Sequence, residues 1–192
     1  MKASTIVGLV AAVVALIALS AGYFASSAPQ ALPSFVLTNQ SGEVIRAEQL
    51  NGRIAIISFM FTNCYDVCPL VTAQLARVQT ELAAASLGST VRLISITLDP
   101  GTDTPEVLRG YAARFGAESN SWDLLTGDPD EVRRVVQAMG VFVIREDGSV
   151  GHDSPVLLVN ARGEIVRRYT DTTRLSARIV DDIRHIRRRT AR

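Results

Sequence analysis

The sequence predicts an α/β protein, with a central mixed sheet flanked by helices behind one apolar N-terminal segment. Three observations carry this expectation. Residues 54–61, IAIISFMF, form a continuous apolar run, as expected of a strand buried on both faces. A second buried-strand pattern at 91–98 follows one long helical pattern. The chain then closes with a hairpin pattern and a last amphipathic helix, so strands and helices alternate before the finish.

The apolar segment comes first. Residues 5–24, TIVGLVAAVVALIALSAGYF, carry no charge, and a helix of that length spans a hydrocarbon core of about 30 Å. Lys2, the only lysine, precedes it. The positive-inside rule then keeps the N-terminus in the cytoplasm and sends everything after residue 24 outside. A cleaved signal peptide is the rival reading, because residues 25–28 are small. Its apolar core would be only about 7–15 residues, which favours an uncleaved anchor. Both readings export the rest of the chain. The expected organisation is an anchor at 1–24, a small-residue and proline linker at 25–33, and a folded domain at 34–192.

Within the domain, residues 34–39 and 43–46 flank SGE and predict an opening hairpin. The apolar run at 54–61 leads into a helix over 67–85, and 91–98 is the next strand. Thr104 and Pro105 predict a helix start, with Thr104 as N-cap and Pro105 at the first helical position. A third helix is expected over 128–139, then a short strand at 141–144. Residues 156–160 and 164–169 flank a turn at Ala161-Arg162-Gly163, and a helix covers 175–188. This order is the pattern of a thioredoxin-like fold. Open α/β sheets gather their chemistry at the carboxyl ends of parallel strands. The loop after Met60 is such a place.

Composition narrows the function classes. With 192 residues the chain holds one domain and an appendage, and a net charge of +1 gives no reason to expect nucleic-acid binding. Two cysteines are too few for a disulfide framework, so their close spacing points to redox or metal chemistry.

The pair sits in FTNCYDVCP, residues 61–69. On a helix, Cys64 and Cys68 would lie one turn apart, close enough to close a disulfide or share a metal ion. A helix N-terminus favours thiolate, and thiolates select copper(I), zinc or iron–sulfur centres. Bland readings stand beside these. Cys64, Cys68, Val71, Leu75, Val78 and Leu82 make one stripe at helical spacing, which a core would also require. A structural disulfide closing so short a loop would contribute only about 2 kcal/mol.

The run FTNCYDVCPL resembles the signature of the Sco/SenC/PrrC family of copper-binding cytochrome c oxidase assembly proteins. The resemblance covers roughly residues 33–185 and includes LDPGTDTPEVLRGYAARFG at 98–116 and WDLLTG at 122–127. It implies a thioredoxin-like fold and a copper site of Cys64, Cys68 and His152. His152 lies eleven residues before Gly163, the interval at which Sco proteins carry their metal-binding histidine. The expected position is a loop ahead of the 156–160 strand, packed against the helix that carries the cysteines. Two sulfurs and an imidazole suit copper(I), and with added donors copper(II). A solvated surface histidine is the alternative.

Pro155 departs from the family pattern. It stands where thioredoxins place a cis-proline, a habit of thiol–disulfide enzymes, although a proline can also merely open a strand. Asp153 departs too, since the family tends to have a small hydroxyl residue there. Asp66, between the cysteines, reads either as a group that tunes the thiolates or hydrogen-bonds around them, or as a helix-start acid. Asp103 reads as a capping residue, Trp122 as core, and His185, in the basic RHIRRRTAR, as solvated, with attraction to anionic lipid as a lesser reading.

Three functions follow. The first is a copper metallochaperone serving the binuclear copper centre of an oxidase subunit. The second is an extracytoplasmic thiol–disulfide oxidoreductase acting through Cys64 and Cys68 on the cysteines of that subunit. The third is a redox or copper sensor acting on a membrane kinase. Metal transfer requires His152, whereas disulfide exchange does not. Other copper chaperones or thiol reductants are the further partners that such roles imply. A peroxidase is disfavoured, because Thr62 is two residues before Cys64 and Thr-x-x-Cys is absent.

Overall fold

The strand that carries the cysteine loop is also the centre of the molecule. In the computed structural model, β4 (Ile54–Met60) is buried at all seven positions. The residues described are 29–65, 67–117, 121–146, 149–152, 155–171 and 173–190, with backbone alone for 144–146, 149–152 and 189–190. Ala31–Arg192 form one compact unit. Among the described residues no helix is long and apolar enough to cross a membrane. The segment read as an anchor, residues 5–24, and Asp66 and Asp153 lie outside them.

Ten strands are described. They are β1 (Gln30–Ala31), β2 (Val36–Asn39), β3 (Val44–Arg46), β4, β5 (Val91–Thr97), β6 (Trp122–Thr126), β7 (Val143–Glu146), β8 (Ser149–His152), β9 (Val156–Val159) and β10 (Glu164–Tyr169). Eight make one sheet in the order β1-β10-β9-β4-β5-β6-β2-β3, and β7 and β8 pair separately. β4, β5 and β6 run parallel. Strand β9 lies antiparallel to β4, and β2 antiparallel to β6. The result is a mixed sheet with its parallel strands in the middle.

The helices are α1 (Val67–Ala84), α2 (Pro105–Phe115), α3 (Pro129–Ala138) and α4 (Leu175–Thr190). Alternation along β4 sorts them into layers. Ile54, Ile56 and Met60 share one core with α1, α2 and α4, through residues such as Leu75, Leu108 and Ile179. Ala55, Ile57 and Phe59 point to the other core, closed by α3 and the β2–β3 hairpin. On α1 the stripe Val71, Leu75, Val78 and Leu82 is buried, and each such side chain contributes about 1.5–3 kcal/mol.

Local signals place the ends. Thr104 caps α2, its side chain accepting from the Val107 amide at 3.3 Å, with Pro105 next as expected. Asp128 caps α3 by accepting from the Asp130 and Glu131 amides. Gly163, at φ +73°, supplies the left-handed residue of the β9–β10 turn, where the Asn160 side chain accepts from the Arg162 and Glu164 amides.

Two expectations about strands change. Residues 122–126, read only as a tryptophan segment, form β6, all five residues buried. Trp122 is core as expected, and its indole N–H donates to Ser95 Oγ at 3.0 Å. His152, expected in a loop, has its backbone at the end of strand β8, opposite Val143. Residues 143–146 and 149–152 pair antiparallel, so the stretch read as loop is the second strand of a short two-stranded sheet.

Candidate metal centre

The site is built where β4 runs out. The Leu98 amide donates to the Met60 carbonyl at 2.8 Å, so β4 and β5 stay joined to their carboxyl ends. The chain then leaves the sheet at Phe61 and re-enters regular structure at Val67. Cys64 lies in this connection, three residues ahead of α1, and Cys68 is the second residue of the helix. The expectation that both stand on one helical face is therefore corrected. A tight turn, in which the Cys64 amide donates to the Phe61 carbonyl at 3.2 Å, brings the first cysteine back toward the second.

No disulfide joins the two. The Cys68 thiol is 2 % exposed and hydrogen-bonded to the Cys64 side chain, which is half-buried against the same core. Burial pushes the Cys68 thiol up to about 12, and its bond to Cys64 adds to that, while a backbone hydrogen bond at Phe61 works the other way. The expected preference for thiolate at a helix N-terminus is thus overridden at Cys68 by desolvation. A thiol so placed is inert toward water and ionises when a metal cation supplies the compensating charge.

Beneath the loop lies a carboxylate that the sequence reading assigned to capping. Asp103 is 1 % exposed and caps no helix. It accepts from the Thr62 amide at 3.2 Å and 3.3 Å, from the Thr62 hydroxyl, and from the Thr97 hydroxyl. It thereby ties the start of the cysteine loop to the end of β5, and its charge reaches Cys68. Thr104, one residue later, takes the cap instead. Hydroxyls at 62 and 97, each just past or at the end of a buried strand, were the signal available in the sequence.

A second support runs along α1. The Thr72 hydroxyl donates to the Cys68 carbonyl at 2.8 Å and meets Tyr111 Oη at 3.0 Å. Tyr111 is buried, which pushes its hydroxyl up, and its ring lies 4.9 Å from that of Phe115. The first turn of α1 is therefore fixed against α2. In the chain around the cysteines, Asn63, Tyr65 at 91 % and Leu70 at 60 % are exposed, so the loop offers both polar and apolar surface to solvent.

Pro155 is buried at the head of β9. β4 and β9 pair Ile57 with Leu157, so the antiparallel register carries Pro155 abreast of Phe59, at the cysteine end of the sheet. The His152 backbone is three residues further back and so within about 11 Å of Pro155. The His152 side chain lies outside the described residues. Among those described, no three His, Cys, Asp or Glu side chains converge as a metal cage. His185 is remote from the cysteines, exposed on α4 with Nδ1 2.9 Å from the Asp181 carbonyl. The donor set in hand is two adjoining thiols, which fits a soft ion such as copper(I) or reversible disulfide formation.

Known proteins share this chain's sequence pattern and fold. The family model described as SCO1/SenC matches residues 25–188. A SCO1 protein homolog of Bacillus subtilis is 32 % identical over 139 residues, covering 70 % of this chain and 71 % of that protein. The copper-bound structure of Arabidopsis thaliana ScoI superposes with a TM-score of 0.68 at 27 % identity, over 80 % of this chain and 98 % of that one. BsSco, a member of the Sco family of cytochrome c oxidase assembly proteins in which a disulfide switch was identified, gives 0.73 at 28 % identity, over 84 % and 95 %. On sequence and architecture alike, this chain belongs to the SCO1/SenC family.

Proposed function

We propose that this protein is a membrane-tethered copper metallochaperone. It takes up copper(I) on Cys64 and Cys68, completed by His152, and passes it to the binuclear copper centre of cytochrome c oxidase. The observation that carries this reading is the pair of adjoining thiols at the carboxyl end of β4, in a family whose Arabidopsis member is solved with copper bound. Copper is cargo here. Binding releases the thiol protons, and release to a partner proceeds by exchange of one sulfur at a time. The exposed Tyr65, next to Cys64 in the chain, supplies apolar surface against which a receiving subunit can exclude water. Residues 5–24 hold the domain on the outer face of the cell membrane, with 25–33 as linker, and Asp66 and Pro155 shape the groove.

A second reading has its own support. The same thiols can reduce a partner disulfide, giving up two electrons and two protons and closing a Cys64–Cys68 disulfide. The buried Pro155 at the sheet's cysteine end and the disulfide switch of BsSco favour it.

One titration separates them. Residues 29–192 are titrated with copper(I) under anaerobic reducing conditions against a competing chelator, beside Cys64→Ser, Cys68→Ser and His152→Ala. One tightly held equivalent, badly weakened in all three variants, is the expected outcome. Weak binding, or binding indifferent to His152→Ala with rapid exchange against a disulfide substrate, would overturn the chaperone reading in favour of the reductase.

A further inference from the structure

A groove of about 940 Å³ lies not at the cysteine loop but at the opposite end of the sheet. It runs between the β9–β10 turn and the last turns of α4, and it reaches Ile54, the first residue of β4. Arg162, Arg167, His185 and Arg187 line it.

The charge at this end is only partly compensated. Arg162 pairs with Glu164 at 2.8 Å, Arg167 with Asp182 at 3.7 Å and Arg184 with Asp181 at 3.2 Å. Beyond Asp182 the chain contains no acid and reads IRHIRRRTAR to its last residue. Arg187 and Arg188 are both exposed. Cations at a helix C-terminus are stabilised by its dipole, which accounts for one or two of these residues. It does not account for Arg162, in the neighbouring β9–β10 turn, or for Arg167, on β10, which line the same groove.

The chain also enters the domain here. The Leu32 amide donates to the Gly163 carbonyl at 2.7 Å, one residue from Arg162. Eight peptide links separate Leu32 from Phe24, where the apolar segment ends, so the linker reaches at most about 29 Å. An anchor on the chain therefore keeps the domain within that reach of a bilayer, whichever face it presents.

We propose that the basic end formed by the β9–β10 turn and the C-terminal turns of α4 is a membrane-docking face for anionic phospholipid headgroups. Its nearness to a bilayer rests on the N-terminal anchor proposed above; its lipid chemistry does not. Exposed guanidinium groups meet phosphate oxygens, an attraction that acts within a Debye length of about 8 Å at physiological salt. β4 rises from this end to Met60 over roughly 20 Å, so the docked domain presents Cys64 and Cys68 away from the lipid. The tether supplies proximity, and the basic face supplies direction.

The test is flotation of residues 29–192, which include the whole compact unit with both its cores, with two kinds of vesicle. One kind is phosphatidylcholine alone, the other phosphatidylcholine with phosphatidylglycerol. Binding is expected only to the second, lost at high salt, and weakened about fivefold or more by Arg187→Glu or Arg162→Glu. Arg109→Glu, an equal charge reversal on the exposed side of α2, should leave binding unchanged. Melting curves confirm that each variant is folded.

Equal binding to both vesicles, no binding to either, or equal loss in Arg109→Glu would overturn the proposal. So would displacement by inorganic phosphate at matched ionic strength, which would assign the groove to a small anion. Membrane fractionation of the full chain tests the anchor separately. A full chain found in the aqueous fraction at high salt would remove the anchor and leave the vesicle result standing.

Discussion

Among the described residues two aspartates are buried, Asp123 at 0 % and Asp103 at 1 % exposure, and they are satisfied in opposite ways. Asp123, on β6, meets the Arg92 guanidinium at 2.7 Å and 2.8 Å and the Asn39 amide at 3.0 Å. It joins three strands, and its charge is cancelled where it sits. The donors to Asp103 among the described residues are neutral, one amide and two hydroxyls. Its charge is solvated by hydrogen bonds yet left uncancelled beside the thiols. A carboxylate that only holds a sheet edge gains by having a cation partner. One beside a site that must receive a cation keeps its field available for the ion that arrives.

Breaking the ion pair should have the largest effect on stability. Asp123→Ala takes from the Asn39 amide one of its two acceptors, Glu43 being the other, and from the Arg92 guanidinium, whose side chain is 21 % exposed, its carboxylate partner. Removing one partner of a buried pair costs about 3–5 kcal/mol, and the low end applies because Arg92 can reach water. At about 2–4 °C per kcal/mol for a domain of this size, the melting temperature should fall by roughly 6–12 °C. Copper(I) affinity should not change. If the chelator titration shows affinity falling with stability, the two carboxylates are not separable and the contrast fails.

Asp103→Ala should do the reverse. Losing the acceptor for Thr62 and Thr97 costs about 1–3 kcal/mol, and the larger consequence is a cysteine loop no longer held at its start. Copper(I) affinity should drop about tenfold, the scale expected when a group that orients a metal ligand is removed. Asp103→Asn sharpens the point, since it keeps an acceptor and drops the charge. Affinity restored with stability would assign the residue to geometry alone. Stability restored without affinity would assign the difference to the field at Cys68.

This division was only half legible in the sequence. The buried strands at 54–61 and 91–98 were plain because apolar runs bounded by turn residues leave few alternatives, and Thr104-Pro105 fixed one helix start to the residue, whereas the helix expected from 128 begins at Pro129 with Asp128 as its cap. β6 was hidden because it is short and contains Asp123, a charge that makes sense only once Arg92 is brought beside it. Asp103 was hidden for the converse reason. Its neighbours in sequence, Thr104 and Pro105, form a capping motif that explains an acid locally, whereas its partners come from 62 and 97. Cys64 and Cys68 were legible as a pair, and the stripe they head was compatible with burial without deciding it. A four-residue spacing fixes separation along the chain and says nothing about solvent.

The smallest effect expected is alkaline, and it repeats the contrast with two tyrosines. Tyr169 donates to the Asp182 carboxylate at 2.7 Å, and burial together with that bond pushes its hydroxyl well above the usual range. Tyr111 meets the Thr72 hydroxyl instead, and its upward shift comes from burial, opposed by that bond. For both, the folded-state value lies above the unfolded one. Their contribution is thus complete below about pH 10 and is lost as pH rises beyond it, by up to about 1.4 kcal/mol per pH unit for each group. Denaturant melts of Cys68→Ser, chosen so that the thiol does not titrate in the same window, should lose stability above about pH 10. Adding Tyr169→Phe should flatten that loss more than adding Tyr111→Phe, because only Tyr169 must ionise against a carboxylate. Equal flattening would mean that burial alone sets both shifts, and that a charged partner matters less in this fold than the two aspartates imply.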